Sequence, residues 1–270
     1  MIYLMELNSN QLEKIISLVH VHTGITIAPS KKSMLQGRIR QRLKALELES
    51  YDDYINYLQT DSNEKQEFIN IITTNETTFF RTQKVWNFFQ DEFLLNWKSS
   101  SPIKIWSAAS STGEEAYSIA MSCEEHKKNN GILRYEIIGT DISTKVLTYA
   151  QDAKYSGRNI NNFKERFTSL YQAYFKPVGE EAEILPEVRK NVSFMAHNLF
   201  SLPKSNISNF DIVFLRNVLI YFKQDDQMRV ISNISRAMKS GAILILGESE
   251  SLNGLSNDFE YVSPQIYKKK

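Results

Sequence analysis

The chain has 270 residues, 42% of them hydrophobic and 23% charged, with a formal net charge of +1. That length allows one large domain or two modest ones, and the apolar share supports a packed core rather than a disordered chain. A near-neutral total supplies no global field for nucleic acid or an anionic membrane, so any basic patch is local. One cysteine, Cys123, excludes an internal disulfide, and the scattered histidines give no metal-ligand spacing, so no metal is expected. The opening "MIYLMELNSNQLEKII" lacks a basic segment followed by an apolar run, so no secretory leader is expected. No stretch approaches the ~18 apolar residues of a membrane span, which points to a cytoplasmic protein without direct membrane insertion.

Helical periodicity opens the chain. Leu12, Ile15, Ile16 and Val19 form an amphipathic stripe between Asn8 and His20. Gly24 and Pro29 break it, and Ser30 stands where it would cap a second helix carrying Leu35, Ile39, Leu43 and Leu46. Tyr51–Leu58 and Glu64–Ile72 read as two more short helices. With no strand signal, residues 1–73 are expected to form an all-helical domain. Its second helix carries Lys31, Lys32, Arg38, Arg40, Arg42 and Lys44 with no acid among them. Such a run suits either a solvated face or the docking of an acidic partner.

From residue 103 the pattern alternates. "IKIWSAA" (Ile103 to Ala109), "YEIIGTD" (Tyr135 to Asp141), "FDIVFLRN" (Phe210 to Asn217) and "AILILGES" (Ala242 to Ser249) read as strands. Helices are expected from Glu114 to about Lys128, from Ser143, and from Gln224 to Met238. Strands alternating with helices give an α/β fold with a parallel sheet covered on both faces. The stretch 170–196 interrupts this with short β-rich pieces around Pro177, Gly179 and Pro186, and reads as a small antiparallel insert. The last 20 residues suggest a closing strand pair.

Ligands of an open parallel sheet bind at the carboxyl ends of its strands. After the first strand come Ala108, Ala109, Ser110, Ser111, Thr112 and Gly113, small residues that admit a ligand close to the backbone. Asp141 ends the second strand, where a carboxylate can accept both hydroxyls of a ribose or, more plainly, cap the next helix. Arg216 and Asn217 follow the strand ending near Phe214. The turn has one glycine where a dinucleotide fingerprint has three, and Glu114 and Glu115 stand where a pyrophosphate would lie. Two acids there repel phosphate and attract a cation. S-adenosylmethionine, with a ribose, an ammonium, a sulfonium and no phosphate, fits better than a dinucleotide.

Four ordered motifs carry a family resemblance. "TTNETTFFR" (Thr73 to Arg81), "SAASSTGEEAYSIA" (Ser107 to Ala120), "GTDIS" (Gly139 to Ser143) and "RNVLIYF" (Arg216 to Phe222) resemble, in order and spacing, the CheR-type chemoreceptor glutamate O-methyltransferases over nearly the whole chain. The resemblance implies a Rossmann-like methyltransferase domain over 103–270, with a β subdomain at about 170–196. A linker over 74–102 carries the NETTFFR motif, and the helical domain precedes it. It implies S-adenosylmethionine as methyl donor, S-adenosylhomocysteine as product, and the cytoplasmic methylation helices of chemoreceptors as partners, with no nucleic acid. A monomer is expected. Asn75, Thr77 and Arg81 match the motif that closes over the donor, and Glu115 and Asp141 match cofactor-binding acids. Asn198 with Leu199, and Asn217 with Val218, match two further cofactor-facing pairs. Arg81 and Tyr221 match residues at the methyl-transfer position, and the basic helix matches the receptor-facing one. Ala116 departs from the proline common there; proline would only pre-set φ, so little consequence is expected.

A glutamate carboxylate, with a pKa of about 4.3, is already ionised and nucleophilic at neutral pH, so no general base is required. The acceptor is not fixed by fold: RNA or another acceptor, or a non-catalytic donor-binding signalling module, are the alternatives. In the family the β insert can grip a receptor's C-terminal peptide as an added strand. Here the insert is compact, with prolines and Glu180, Glu181 and Glu183, so dependence on that tether is not expected.

Overall fold

The computed structural model describes residues 6–270. The first five residues, on which the leader reading and the start of the 1–73 domain rest, lie outside the described residues. Helix α1 (Ser9–Thr23) starts from a capping box in which Asn8 and Gln11 exchange side-chain and backbone bonds. It stops at Gly24, whose φ of 77° is left-handed. Helix α2 (Lys32–Ala45) is entered through a 3₁₀ turn, Pro29–Lys31. Ser30 lies inside that turn and makes no capping bond, because proline at the turn's first position starts it without one. Ser50 and Asp61 cap α3 (Tyr51–Thr60) and α4 (Ser62–Ile72). Leu12, Ile15, Val19, Leu35, Ile39, Leu43, Tyr54 and Phe68 form the core of these helices.

The basic run on α2 is compensated in space. Arg42 forks onto Glu64 of α4, Nε to Oε1 at 2.9 Å and Nη2 to Oε2 at 2.5 Å, and Tyr54 Oη adds a bond at 2.8 Å. Arg38 Nη1 donates to the Ile72 carbonyl at 2.6 Å, at the end of α4. These two arginines hold the helical domain together, which the absence of an acid within α2 itself does not reveal.

Residues 74–102 are packed, not loose. Helix α5 (Gln83–Asn87) runs into a π-helical turn, Phe88–Leu94. Phe79, Phe80, Trp86 and Phe89 are buried in the main core, with Trp86 and Phe89 against Phe214. The rest alternates: β1 (Ile103–Ala108), α6 (Glu114–Asn130), β2 (Tyr135–Asp141), α7 (Thr144–Asp152), β3 (Lys154–Tyr155), α8 (Gly157–Arg166), α9 (Thr168–Tyr174), β4 (Phe175–Val178), β5 (Glu181–Ile184), α10 (Pro186–Arg189), β6 (Val192–Ala196), β7 (Phe210–Leu215), α11 (Gln224–Ala237), β8 (Met238–Leu246), β9 (Phe259–Ser263) and β10 (Ile266–Lys269). The large sheet has the order β6-β2-β1-β7-β8-β10-β9. Its first five strands are parallel and the last two antiparallel.

Of the stretch 170–196, expected as an antiparallel insert, residues 170–174 close α9 and residues 186–189 form α10, and the strands of the rest divide between two sheets. β4 and β5 form a hairpin joined by β3, in the order β3-β5-β4. β6, read from sequence as part of the insert, pairs parallel with β2 in the large sheet, Gly139 opposite Phe194. A Cβ at Gly139 would stand 2.5 Å from the Phe194 ring, so glycine is what lets that strand seat. The insert takes its third strand instead from Lys154–Tyr155, upstream.

Arg42→Ala leaves the buried Glu64 carboxylate without its countercharge. It should destabilise the protein by about 2–4 kcal/mol in urea unfolding. A loss below about 1 kcal/mol would mark the pair as an ordinary surface contact.

Candidate functional site

The strand order reverses between β1 and β7, since successive strands β1, β2 and β6 extend one way and β7 and β8 the other. A cavity of about 470 Å³ opens at the carboxyl ends there. Asn75, Thr77 and Arg81 line it from the linker, Glu115 and Asp141 from below. Asn198, Leu199, Asn217, Val218 and Tyr221 line it from the loops after β6 and β7. The fold thus brings every cofactor-site and catalytic candidate read from sequence into one cavity. Of the basic run on α2 and its approach, Lys31 alone reaches the lining.

Local geometry explains the small-residue turn after β1. Ala109, Ser111 and Gly113 have φ of 80°, 49° and 94°, a tight left-handed coil. A Cβ at Gly113 would lie 2.9 Å from that of Ala150, so glycine is required there. Ser111 N donates to Asp141 Oδ2 at 2.9 Å, and Ser111 Oγ reaches the Asn75 carbonyl at 2.8 Å. Asp141 Oδ1 accepts from Ser143 N at 3.0 Å. Asp141 therefore ties two loops together while lining the cavity; it does not cap α7, because its bond goes to the amide of Ser143, the N-cap residue itself, two residues on. Burial raises its pKa, opposed by these backbone bonds.

Glu115 and Glu114 part company. Glu115 Oε1 accepts from Ser107 Oγ at 2.8 Å, and Oε2 from Arg216 Nη1 at 3.0 Å. Glu114 does not line the cavity; Thr112 Oγ1 holds its carboxyl at 2.6 Å, and burial pushes its pKa up to about 7. The pair of acids expected to face a ligand is one acid, already paired, because successive helical residues point about 100° apart.

Arg216, read from sequence only as a polar group of the ligand pocket, lines the cavity and also holds its parts together. Its guanidinium is buried, and Nη2 donates to the Arg81 carbonyl at 2.8 Å, which also accepts from Trp86 Nε1 at 2.9 Å. The Arg81 backbone is thus fixed from two sides, while its side chain is exposed and makes only a long bond to the Glu76 carbonyl, 3.4 Å. The Asn198 side chain is spent on protein, donating to the His22 carbonyl at 3.0 Å and accepting from Phe200 N at 3.0 Å. His197, in the same wall, is pushed down to about 4 by burial and is neutral at pH 7.

The helical domain supplies a wall that sequence reading missed: Ile25, Thr26, Ile27 and Met34 line the cavity. Thr26 N donates to the Tyr221 carbonyl at 2.8 Å. Among the described residues Thr26 Oγ1 is buried and meets no hydrogen-bond partner, an open site in the wall. Acceptors at Asp141 and Glu115, an apolar Leu199 and Val218, and an unspent hydroxyl suit a nucleoside carrying positive charge. Of the three cations in the lining, Lys31, Arg81 and Arg216, the buried one, Arg216, is already neutralised by Glu115. Among the described residues no group of His, Cys, Asp and Glu is arranged to hold a metal, and no helix is long and apolar enough to cross a membrane.

Two family profiles match the chain: "CheR methyltransferase, all-alpha domain" over residues 10–73, and "CheR methyltransferase, SAM binding domain" over residues 75–268. Among curated relatives, the chain is 31% identical to the chemotaxis protein methyltransferase of Borreliella burgdorferi, over 97% of this chain and 95% of that one. It is 34% identical to chemotaxis protein methyltransferase 1 of Vibrio cholerae, over 92% of each. It is 30% identical to the chemotaxis protein methyltransferase of Escherichia coli, over 97% of this chain and 91% of that one.

Asp141→Ala should lower the affinity for S-adenosylhomocysteine by about tenfold or more, since charge-assisted bonds are worth roughly 1.5–3 kcal/mol each. It should also cost stability of about 1–2 kcal/mol, because the Ser111 and Ser143 amides lose their acceptor. Calorimetric titration beside urea unfolding reads both; affinity within twofold of the parent would remove Asp141 from the ligand site.

Proposed function

The chain belongs to the CheR methyltransferase family, and from that premise we propose that it esterifies glutamate side chains on the cytoplasmic methylation helices of bacterial chemoreceptors, for sensory adaptation. It is an S-adenosylmethionine-dependent methyltransferase of the chemotaxis type. What supports the finer reading is the cavity: acids and apolar side chains at its base, with Arg81 and Tyr221 in its lining and Lys31 from the helical domain beside them.

When bound, S-adenosylmethionine supplies a methyl group on a sulfonium, an electrophile that needs no further activation. In the proposed reaction Asp141 receives the ribose hydroxyls. Glu115, held by Ser107 and Arg216, gives the donor's cationic end a fixed negative neighbour. Asn75, Thr77, Asn198, Leu199, Asn217 and Val218 enclose the rest. Arg81 and Tyr221 orient the incoming carboxylate, which is already ionised, so alignment carries the catalysis. Arg81 must not grip the carboxylate too tightly, since that would stabilise the ground state equally. The enzyme meets the receptor from the cytoplasm as a monomer. Lys31 and Lys32, at the start of α2, are the docking candidates for an acidic helix, with Arg40 and Lys44 further along it, while Arg38 and Arg42 bond within the helical domain.

The edge of the small sheet bears on how the receptor is held. The Tyr174 carbonyl accepts from Leu185 N, so ladder alternation turns the backbone of Phe175 and Pro177 away from β5, toward the free edge of β4. Phe175 N already donates to the Tyr171 carbonyl, and Pro177 has no N–H. That edge therefore offers an added strand no donor, and the opposite edge, β3, is two residues long. This geometry supports recognition of the methylation helices without a peptide tether.

Transfer of a labelled methyl group from S-adenosylmethionine to a receptor cytoplasmic fragment, as a base-labile ester lost when the acceptor glutamates are changed to alanine, is the expected result. Label in RNA instead of receptor would overturn the acceptor assignment. Arg81→Ala should reduce turnover by on the order of 100-fold with a melting temperature close to the parent's; parental turnover would remove Arg81 from the transfer position. A receptor C-terminal pentapeptide should show no calorimetric binding, and receptors lacking that tail should be methylated as fast as intact ones. Micromolar peptide binding would show that the small sheet accepts a strand after all.

A further inference from the structure

The turn that follows β7 carries Asn217, Val218 and Tyr221 into the cavity, and its own 3₁₀ bonds, Tyr221 N to the Val218 carbonyl and Phe222 N to the Leu219 carbonyl, use none of the amides at its start. Asn217 sits at a left-handed φ of 57°. What holds the turn is a carboxylate from the loop after β8. Glu250 Oε2 accepts from Asn217 N at 2.8 Å and from Gly247 N at 2.7 Å. Glu250 Oε1 accepts from Val218 N at 2.7 Å and from Leu219 N at 2.8 Å. Each oxygen thus takes two amides, which fills the carboxylate's capacity. Three successive amides turned toward one anion form a backbone nest, here closed by a side chain rather than by a ligand. Glu250 is buried and does not line the cavity.

Gly247 belongs to the same device. A Cβ there would stand 2.7 Å from Glu250 Oε2 and 2.8 Å from Asn217 N. No side chain fits between the carboxylate and the turn, and the Gly247 carbonyl accepts from Glu250 N at 3.1 Å to close the loop.

We propose that Glu250, seated by Gly247, is a positioning residue for the methyl-donor site, setting the turn that presents Asn217 and Val218 to the ligand. The inference rests on the methyl-donor reading of the cavity. Glutamine at 250 keeps the shape but, in either orientation of its amide, aims an NH₂ at two backbone donors. The turn must then shift to escape, and a displacement of about 1 Å at a binding wall is costly.

Calorimetric titration with S-adenosylhomocysteine separates the possibilities. Glu250→Gln should raise Kd at least tenfold while binding stays one to one, and the KM for S-adenosylmethionine should rise in parallel. A merely structural role would instead lower the stoichiometry, as a fraction of the protein unfolds, and leave Kd and KM of the remainder unchanged; that pattern would overturn the proposal. Gly247→Ala keeps the carboxylate and wedges the turn, so it should weaken binding in the same way and carries the test should Glu250→Gln fail to fold. Glu248→Gln, at an exposed neighbour, should bind as the parent does. Parental Kd in both Glu250→Gln and Gly247→Ala would overturn the inference. Absence of binding to the unsubstituted protein would overturn the methyl-donor reading, and this inference with it.

Discussion

The site depends on burying a guanidinium. Arg216 is 7% exposed, a position in which an unpaired charge would be prohibitive. Its two terminal nitrogens are satisfied by groups from two other parts of the chain, the Glu115 carboxylate at the start of α6 and the Arg81 carbonyl of the linker. Meeting those bonds requires β7, α6 and the linker to converge at the carboxyl ends of the strands. Trp86, stacked on Phe214 of β7, donates to that same Arg81 carbonyl, so apolar packing and charge satisfaction act on one peptide unit. The Arg81 side chain is left exposed on a backbone with little freedom, which is what a residue at a transfer position requires.

The helical domain is bound to the sheet by the same kind of constraint. Asn70 of α4 accepts from Ser143 Oγ at 3.0 Å, and Gln66 donates to the Ile142 carbonyl at 3.0 Å, both just past Asp141. On the far side His20 of α1 meets Asp226 of α11 at 2.9 Å, and Asn198 meets the His22 carbonyl. These contacts hold Ile25, Thr26 and Ile27 over the cavity. The cavity therefore belongs to both parts of the chain, and Asn198 serves it from behind, by fixing a wall.

The strands that build the cavity were legible because parallel strands buried on both faces leave unbroken apolar runs such as "IVFL" and "AILIL". The motif residues at their carboxyl ends were legible because only a few residue types suit a tight turn beside a ligand. β6 was assigned to the insert because its burial alternates weakly and its partner, β2, is about fifty residues upstream; strand partners are not written in local sequence. α8 went unread because, apart from Ile160 and Phe163, its face is Asn, Lys, Arg and Glu. The bonds of Arg42, Arg216 and Glu250 were illegible for one reason: each meets a partner at least 22 residues away. A count of charges along one helix, as in the basic run on α2, therefore describes the wrong neighbourhood.

The chemistry proposed for the cavity sets a conflict that the fold resolves by separation. The donor is a cation and calls for acids; the acceptor is an anion and is repelled by them. Across a few ångströms of low dielectric such terms are large. Here the acids are engaged at the base: Glu115 with Ser107 and Arg216, Asp141 with two loop amides, and Glu250 with four amides behind the wall. Glu114, the acid that would have added a second charge beside Glu115, is turned out of the cavity, and burial holds its pKa near neutrality, up to about 7. Arg81, the cation of the linker, is exposed in the same lining. On the proposed chemistry a carboxylate entering beside Arg81 would meet a positive neighbour, while the acids of the lining are already held by partners of their own. An exposed positive charge and engaged negative ones are what that chemistry requires, so that an anion and a cation can be brought into line without either being repelled by the groups that hold the other.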